Sequence, residues 1–350
     1  MKTDGNLVLD TLWRPRLMQV DDNFFVAAFP FMKVLTAWGL IRAAEQEGFL
    51  SPDTLVVEST SGNLGIGLAI VCAQRGQPLL IIADTNLNPD HRRRMEDLGA
   101  AVVTVAPMSG KGGSQAARLD RIDQELARSA GERTFVVYQY MREANKTAYG
   151  RLAALLAGEI PHIDCLVGTV GTGGSMCGTA RYLRMLNHNM HAVGVDVHSS
   201  VLFGQTDGPR HIGGLGASVL PPGLEHSIFD EVHWLSAAAA ANAGQDLHRA
   251  TGLFQGPTSG LAWKVGRWYA AQHPDRVTVA ILPDEGHRYA DTLYNPVWRH
   301  ARQLPESDAA TEPVSVRHPL QAKAPVWTHI AWCRRTLKQV LETVVTHEGH

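Results

Sequence analysis

The sequence predicts an α/β fold in two lobes, each a mostly parallel twisted sheet flanked by helices. Three observations point there. Short continuous apolar runs rich in Val, Ile and Leu recur along the chain, stretches of helical spacing separate them, and the alternation restarts midway. A parallel strand covered on both faces is apolar at every position, and its crossover to the next strand is usually a helix.

The first set of elements begins at Leu55–Ser59, a β-branched run punctuated by Ser61-Gly62-Asn63. Leu64–Gly76 then reads as a buried helix closed by glycine. Leu79–Asp84 is a second strand. Pro89 onward is a short helix with Met95 and Leu98 on one face, and Ala101–Ala106 is a third strand. Leu119, Ile122 and Leu126 recur at helical spacing, and Thr134–Tyr140 reads as a fourth strand. The second set runs from the strand Asp164–Val170, through a glycine loop and a helix ending at Leu183, to the strand His191–Val197. A Gly/Pro/His-rich stretch from Ser199 to Pro222 interrupts it. The strand EVHWLS, an alanine-rich helix, a helix from Pro257 to Ala271 and the strand Val277–Asp284 complete it. Beyond Val297 the chain is polar and proline-rich, like a linker. Val326–Val345 then regains helical spacing, with Ile330, Trp332 and Leu337 as expected buried positions.

Composition narrows the function. The 350 residues carry 32 Lys+Arg against 34 Asp+Glu, a net charge of −2, which is not a nucleic-acid footprint. The longest apolar runs are about ten residues and glycine-broken, too short to span a bilayer, and the N-terminus lacks an apolar signal core. These features suggest a soluble, cytoplasmic protein. Cys72, Cys165, Cys177 and Cys333 are far apart, which argues against a disulfide scaffold or a zinc knuckle. His188 with His191, and His347 with His350, have ligand-like spacing but no completing partner, so no metal is expected.

Glycine is over-represented, with 33 residues clustered in loops. Gly171-Thr172-Gly173-Gly174-Ser175 follows a strand and opens a helix. It is either a tight turn or a phosphate cradle of backbone N–H groups and hydroxyls. It matches neither the dinucleotide fingerprint nor the P-loop. Thr60-Ser61-Gly62-Asn63 suits a carboxylate or serves as an ordinary helix cap, and Pro257-Thr258-Ser259-Gly260 is a third such junction. Lys33 is the sole charge within FFVAAFPFMKVLTAWGL. It either snorkels from a surface helix or is desolvated, with a lowered pKa suited to a nucleophile or base.

In this order, Lys33, ESTSGNLGIGLA, GTVGTGGSMCGTARYL, GPTSG and PDEGHRY resemble the cysteine synthase / cystathionine β-synthase family, pyridoxal-phosphate enzymes of fold type II with the tryptophan synthase β-like fold. VLDTLWRPRLMQV and HIGGLGASVLPPGLEHSIFDEV extend the likeness from Val8 to Tyr294. The resemblance implies that Lys33 forms the internal aldimine with pyridoxal 5′-phosphate and moves the Cα proton. It implies that Gly171, Thr172, Gly173, Gly174 and Ser175 hold the cofactor phosphate, and that Asn63 bonds the ring 3′-oxygen. Thr60, Ser61, Asn63 and Gln139 would clasp the substrate carboxylate. Thr258 would face the pyridine nitrogen, and Gly214 and Gly216 would line the substrate entrance. The implied reaction is β-replacement on an activated serine through an aminoacrylate, between a small amino-acid substrate and a small nucleophile, in a homodimer. The implied lobes are 34–145 and 1–33 with 146–297, leaving 298–350 as an extension.

The chain departs from the family around Lys33. The usual glycine, serine and Asp-Arg pair are replaced by the bulkier, apolar Ala27-Ala28-Phe29-Pro30-Phe31-Met32 before it and Val34-Leu35 after it. That change points to a specialised β-substituted alanine rather than the standard sulfide reaction. Two other readings stand beside it. A hydroxyamino-acid dehydratase or racemase of the same fold more often carries Ser-Ser-Gly-Asn-His and a tetraglycine loop. A catalytically silent homologue used for binding need not keep the lysine, the phosphate loop and the carboxylate clasp together.

Overall fold

The computed structural model describes residues 7–85, 87–106, 113–128, 133–210, 215–304 and 310–343. After the helix Leu7–Trp13 comes an antiparallel pair, β1 (Arg16–Asp21) and β2 (Phe24–Ala28). Four strands follow: β3 (Leu55–Ser59), β4 (Leu79–Asp84), β5 (Ala101–Val105) and β6 (Thr134–Val136). They make one all-parallel sheet in the order β5-β4-β3-β6. The second set contains β7 (Cys165–Thr169), β8 (His191–Val197), β9 (Glu231–Leu235) and β10 (Thr278–Leu282). Beyond it come β11 (Val314–Ser315) and β12 (Thr328–Ala331). These join β1 and β2 in an eight-stranded sheet ordered β1-β2-β10-β7-β8-β9-β12-β11.

The chain falls into two compact units. One comprises Met1–Arg14, Phe31–Tyr149 and Pro221–Gly223, and contains the four-stranded sheet. The other comprises Pro15–Pro30, Gly150–Leu220 and Leu224–His350, and contains the eight-stranded sheet. Strand residues such as Val167, Val193 and Ala280 are fully buried, as continuous apolar runs under helices require. Among the described residues, no helix is long and apolar enough to cross a membrane.

Two elements differ from the sequence expectation. The fourth strand stops at Val136 instead of Tyr140, because Tyr138 turns the chain at a left-handed φ of 47°. The segment from Val326 is not one helix. It is strand β12 followed by a short helix, Leu337–Leu341. Thr328, Ile330 and Trp332 are buried while Ala331 is exposed, which is the two-residue period of a strand. Ile330 and Trp332 are buried as expected, but Leu337 is only partly so. The proline-rich stretch before it also carries structure, in β11 and the 3₁₀ turn Pro319–Gln321.

Strand β12 docks antiparallel on β9, with His329 opposite His233. Trp327 Nε1–H donates to His233 Nδ1 at 3.0 Å, which places the proton of neutral His233 on Nε2, 2.9 Å from Glu231 Oε1. His329 Nδ1 lies 2.5 Å from the same oxygen. Burial alone would raise the Glu231 pKa, but the imidazoles of His191, His233 and His329 facing the carboxyl outweigh it and hold it well below its usual range. The cluster therefore ties β12 to β9, with the His191 imidazole of β8 3.7 Å from the same carboxylate. The histidine spacing in the sequence did not reveal it, because its members come from three strands.

Candidate active site

In the first unit the candidate groups gather at the carboxyl ends of β3, β4 and β6. Lys33 opens the helix Lys33–Gln46, whose inner face, including Val34, Leu35, Ala37 and Leu40, is fully buried. The residue is partly buried. Desolvation of its amine lowers the pKa to about 8, and the nearby Glu58 charge acts in the opposite direction. The helix Asn63–Arg75 packs closely against this segment. A Cβ on Gly67 would lie 2.6 Å from the Lys33 carbonyl oxygen, so the approach requires glycine.

Thr60, Ser61 and Asn63 form the turn into that helix. The helix has Gly62 at its N-cap and no side-chain cap. Instead, Thr60 Oγ1 accepts from the Gly62 N–H at 3.2 Å, and Ser61 Oγ accepts from the Asp84 N–H at 2.8 Å. The ordinary cap reading is therefore set aside at this turn. Helices elsewhere in the chain are capped by Asn88, Ser236, Asn295 and Thr336. Gln139 is 5% exposed, and its main-chain carbonyl accepts from Asn145 Nδ2 at 2.8 Å.

Sequence reasoning missed three residues here. Glu58 is 2% exposed, and burial raises its pKa to about 8 despite hydrogen bonds from the Tyr138 and Gln139 N–H groups and the charges of Lys33 and Arg118. Those two successive N–H groups, at the left-handed Tyr138, tie the Glu58 carboxyl to the turn that places Gln139. Arg118 is buried against Asp84, donates from Nε to Ser59 Oγ at 3.1 Å, and reaches Ser61 Oγ at 3.4 Å. Glu58 had a visible signal, a lone charge within an apolar strand. Arg118 and Asp84 had none, since their pairing spans 34 residues.

In the second unit, Gly171–Ser175 follows β7 and opens the helix Gly174–Leu183. Gly173 is the N-cap, with φ of 85° and no side-chain cap, and Gly171, Thr172 and Ser175 keep partial exposure. Thr258 lies in the first turn of the helix Pro257–Gln272, which also lacks a side-chain cap. Its loop is tied to the end of β10. The Gly256 N–H donates to the Asp284 carbonyl at 2.9 Å, and Ser259 Oγ donates there at 3.3 Å. The Asp284 carboxylate in turn accepts from Tyr289 Oη and pairs with Arg288, each at 2.8 Å. Because β7 and β10 are parallel neighbours, the Gly171–Ser175 loop and the Thr258 turn share one sheet edge. Gly216 has φ of 70°, while Gly214 lies outside the described residues.

The sequence signature of the pyridoxal-phosphate dependent enzyme family matches residues 32–284. The chain belongs to this family. It is 33% identical over 265 residues to the N-(2-amino-2-carboxyethyl)-L-glutamate synthase of Cupriavidus metallidurans, covering 74% of this chain and 77% of that protein. Identity to the Ralstonia nicotianae enzyme of the same name is also 33%, over 261 residues, with 74% and 77% covered. Among solved structures, an O-ureido-L-serine synthase superposes with a TM-score of 0.74 at 26% identity, over 84% of this chain and 96% of that one. A cysteine synthase from Entamoeba histolytica, at 24% identity, shares the fold with a TM-score of 0.75, over 84% and 91%. The expected α/β fold and the family resemblance are therefore correct, and the protein is a pyridoxal-phosphate dependent enzyme.

The residues present fit that cofactor. A lysine amine with a pKa near 8 suits condensation with an aldehyde, and two glycine- or proline-led helix starts lack side-chain caps. The Lys33 amine should therefore capture the aldehyde faster as pH rises through about 8, and level off above it. Because the Glu58 charge raises the Lys33 pKa, Glu58→Gln should move that midpoint to lower pH. Stopped-flow absorbance of the apoprotein mixed with pyridoxal phosphate, read across pH, checks both. An unmoved midpoint in Glu58→Gln would rule out the coupling.

Proposed function

We propose that this chain catalyses β-replacement on an O-activated L-serine, of the O-acetylserine or O-phosphoserine type, and joins the β-carbon to a small nucleophile. The observation that carries the reading is the buried, weakly basic Lys33 amine in the same unit as the Thr60–Asn63 turn and Gln139.

Bound pyridoxal phosphate supplies the electron sink that lets the Cα–H and Cβ–O bonds break. Lys33 would anchor it, and its amine, neutral above about pH 8, would take up the Cα proton. Thr60, Ser61, Asn63 and Gln139 would hold the substrate carboxylate, and the Asn63 amide would also bond the cofactor. Backbone N–H groups and hydroxyls of Gly171, Thr172, Gly173, Gly174 and Ser175 hold the phosphate. The uncharged Thr258 hydroxyl would face the pyridine nitrogen and would favour elimination and replacement over transamination. The leaving group would depart as acetate or phosphate, the nucleophile would add at Cβ with loss of its own proton, and Lys33 would return a proton to Cα. Gly216 lines the substrate entrance.

The relatives' product supports an amino acid as nucleophile. Their product joins the nitrogen of glutamate to the β-carbon of an alanine unit. The apolar flank of Lys33 fits such a specialised product better than cysteine. The reading carries with it a cytoplasmic homodimer, which light scattering would test.

The purified enzyme should be incubated with O-phosphoserine or O-acetylserine and either sulfide or an amino acid such as L-glutamate, with mass detection. A product carrying the alanine unit on the nucleophile is expected. Pyruvate and ammonia alone would favour the dehydratase reading, and unchanged substrates with every nucleophile would favour the silent homologue.

A further inference from the structure

The family match ends at residue 284, so the C-terminal extension lies outside it. The extension is nevertheless well anchored. Trp327 and Trp332 are buried to within 1% and β12 completes part of the sheet. The Trp332 N–H donates to the Asp230 carbonyl at 2.8 Å, and Arg334 Nε lies 2.7 Å from the Asp230 carboxylate.

From that anchor it grips the loop after β8. Gln205 is 9% exposed, and its Nε2 donates to the carbonyls of Ala322 at 3.1 Å and Pro319 at 3.4 Å. Its Oε1 accepts from the Ser199 N–H at 2.8 Å. One side chain thus joins the extension to Ser199, a non-glycine residue at φ of 64°. Such a backbone persists only where its surroundings over-determine it. His198 Nε2 meets the Val326 carbonyl at 3.0 Å, the Phe203 ring meets Trp332 edge-on at 5.2 Å, and Leu337 and Leu341 cover Gly204.

The same loop is locked to the segment around Gly216. Ser200 Oγ accepts from the Ala217 N–H at 3.1 Å, and the Val201 N–H donates to the Ala217 carbonyl at 3.0 Å. Arg210 donates to the Ser199 carbonyl and, at 2.6 Å, to Ser218 Oγ. A Cβ on Gly216 would lie within 3.0 Å of Val197, Arg210 and Ser200 atoms, so this segment cannot shift alone.

We propose that the C-terminal extension is a brace for the substrate-entrance segment, and that Gln205 is the positioning residue that transmits its hold. The proposal rests on the reading that Gly216 lines the entrance. Gln205 touches no reacting atom, so it acts on substrate binding through loop order.

Two full-length variants test this: Gln205→Leu from the loop side, and the surface pair Leu337→Ala with Leu341→Ala from the extension side. In the cofactor-loaded protein, amide exchange over 198–210 and 215–218 should accelerate about tenfold in Gln205→Leu, the size expected for losing a buried hydrogen-bond pair, and rise in the same segments in the leucine pair. Exchange in β9 and β12 and the visible absorbance should stay unchanged. The KM for the activated serine should rise severalfold, with kcat within about twofold. Unchanged loop exchange in both variants, or exchange raised evenly through the whole unit, would overturn the brace. Selective loop exchange with unchanged KM would overturn the role at the entrance. A wild-type protein without β-replacement activity would instead sink the functional reading, and the exchange measurement alone would then decide on the brace.

Discussion

Lys33→Ala should give a folded protein that no longer forms the covalent yellow adduct with pyridoxal phosphate and has lost at least ~10²- to 10⁴-fold in turnover, the scale of a missing general base. The fold should survive because the helix that carries Lys33 is held by Val34, Leu35, Ala37 and Leu40, each fully buried, and not by the amine. Burial opposes the charge on that amine, as its pKa near 8 shows, so truncation removes a desolvation penalty and breaks no packing. Alanine is also a stronger helix former. Far-ultraviolet circular dichroism should match the wild type while the visible band disappears. An unaltered band with undiminished turnover would assign the attachment to another residue.

The second large effect concerns the buried Arg118–Asp84 pair. Asp84→Ala should destabilise its unit by ~3–5 kcal/mol, because it leaves a buried guanidinium without its ion-pair partner, bonded to the hydroxyls Ser59 Oγ and Ser61 Oγ. Removing both charges should be milder, since two buried ions then no longer need desolvation. The double variant Asp84→Ala with Arg118→Met should therefore be more stable than Asp84→Ala alone. Urea denaturation of the three proteins checks the order. A double variant as unstable as the single would mean that packing, not the unpaired charge, sets the loss. The Ser61 turn should feel the change, because Arg118 reaches Ser61 Oγ while the Asp84 N–H donates to the same atom.

Much of this was legible in the residues. The strands at Leu55–Ser59, Leu79–Asp84 and His191–Val197 match their expected ranges because a strand buried on both faces needs an unbroken apolar run. The glycine-led turns were legible for a similar reason: a left-handed φ such as that of Gly173 selects glycine locally. Glu58 and Arg118 escaped notice as site residues because their roles depend on partners brought near by strand pairing. The end of the chain was misread because alternation at Thr328, Ile330 and Trp332 is too short to separate from helical spacing by pattern alone.

The sequence by itself determined the parallel α/β strands, the family, and which lysine and loops carry its motifs, since backbone periodicity, turn chemistry and motif order are local properties. The tertiary structure decided the rest: that the Lys33 amine is weakly basic, that Glu58 holds the turn before Gln139, and that the last fifty or so residues finish a sheet and grip the loop after β8. These depend on burial and on contacts between residues far apart in the chain, where desolvation and packing outweigh local propensity.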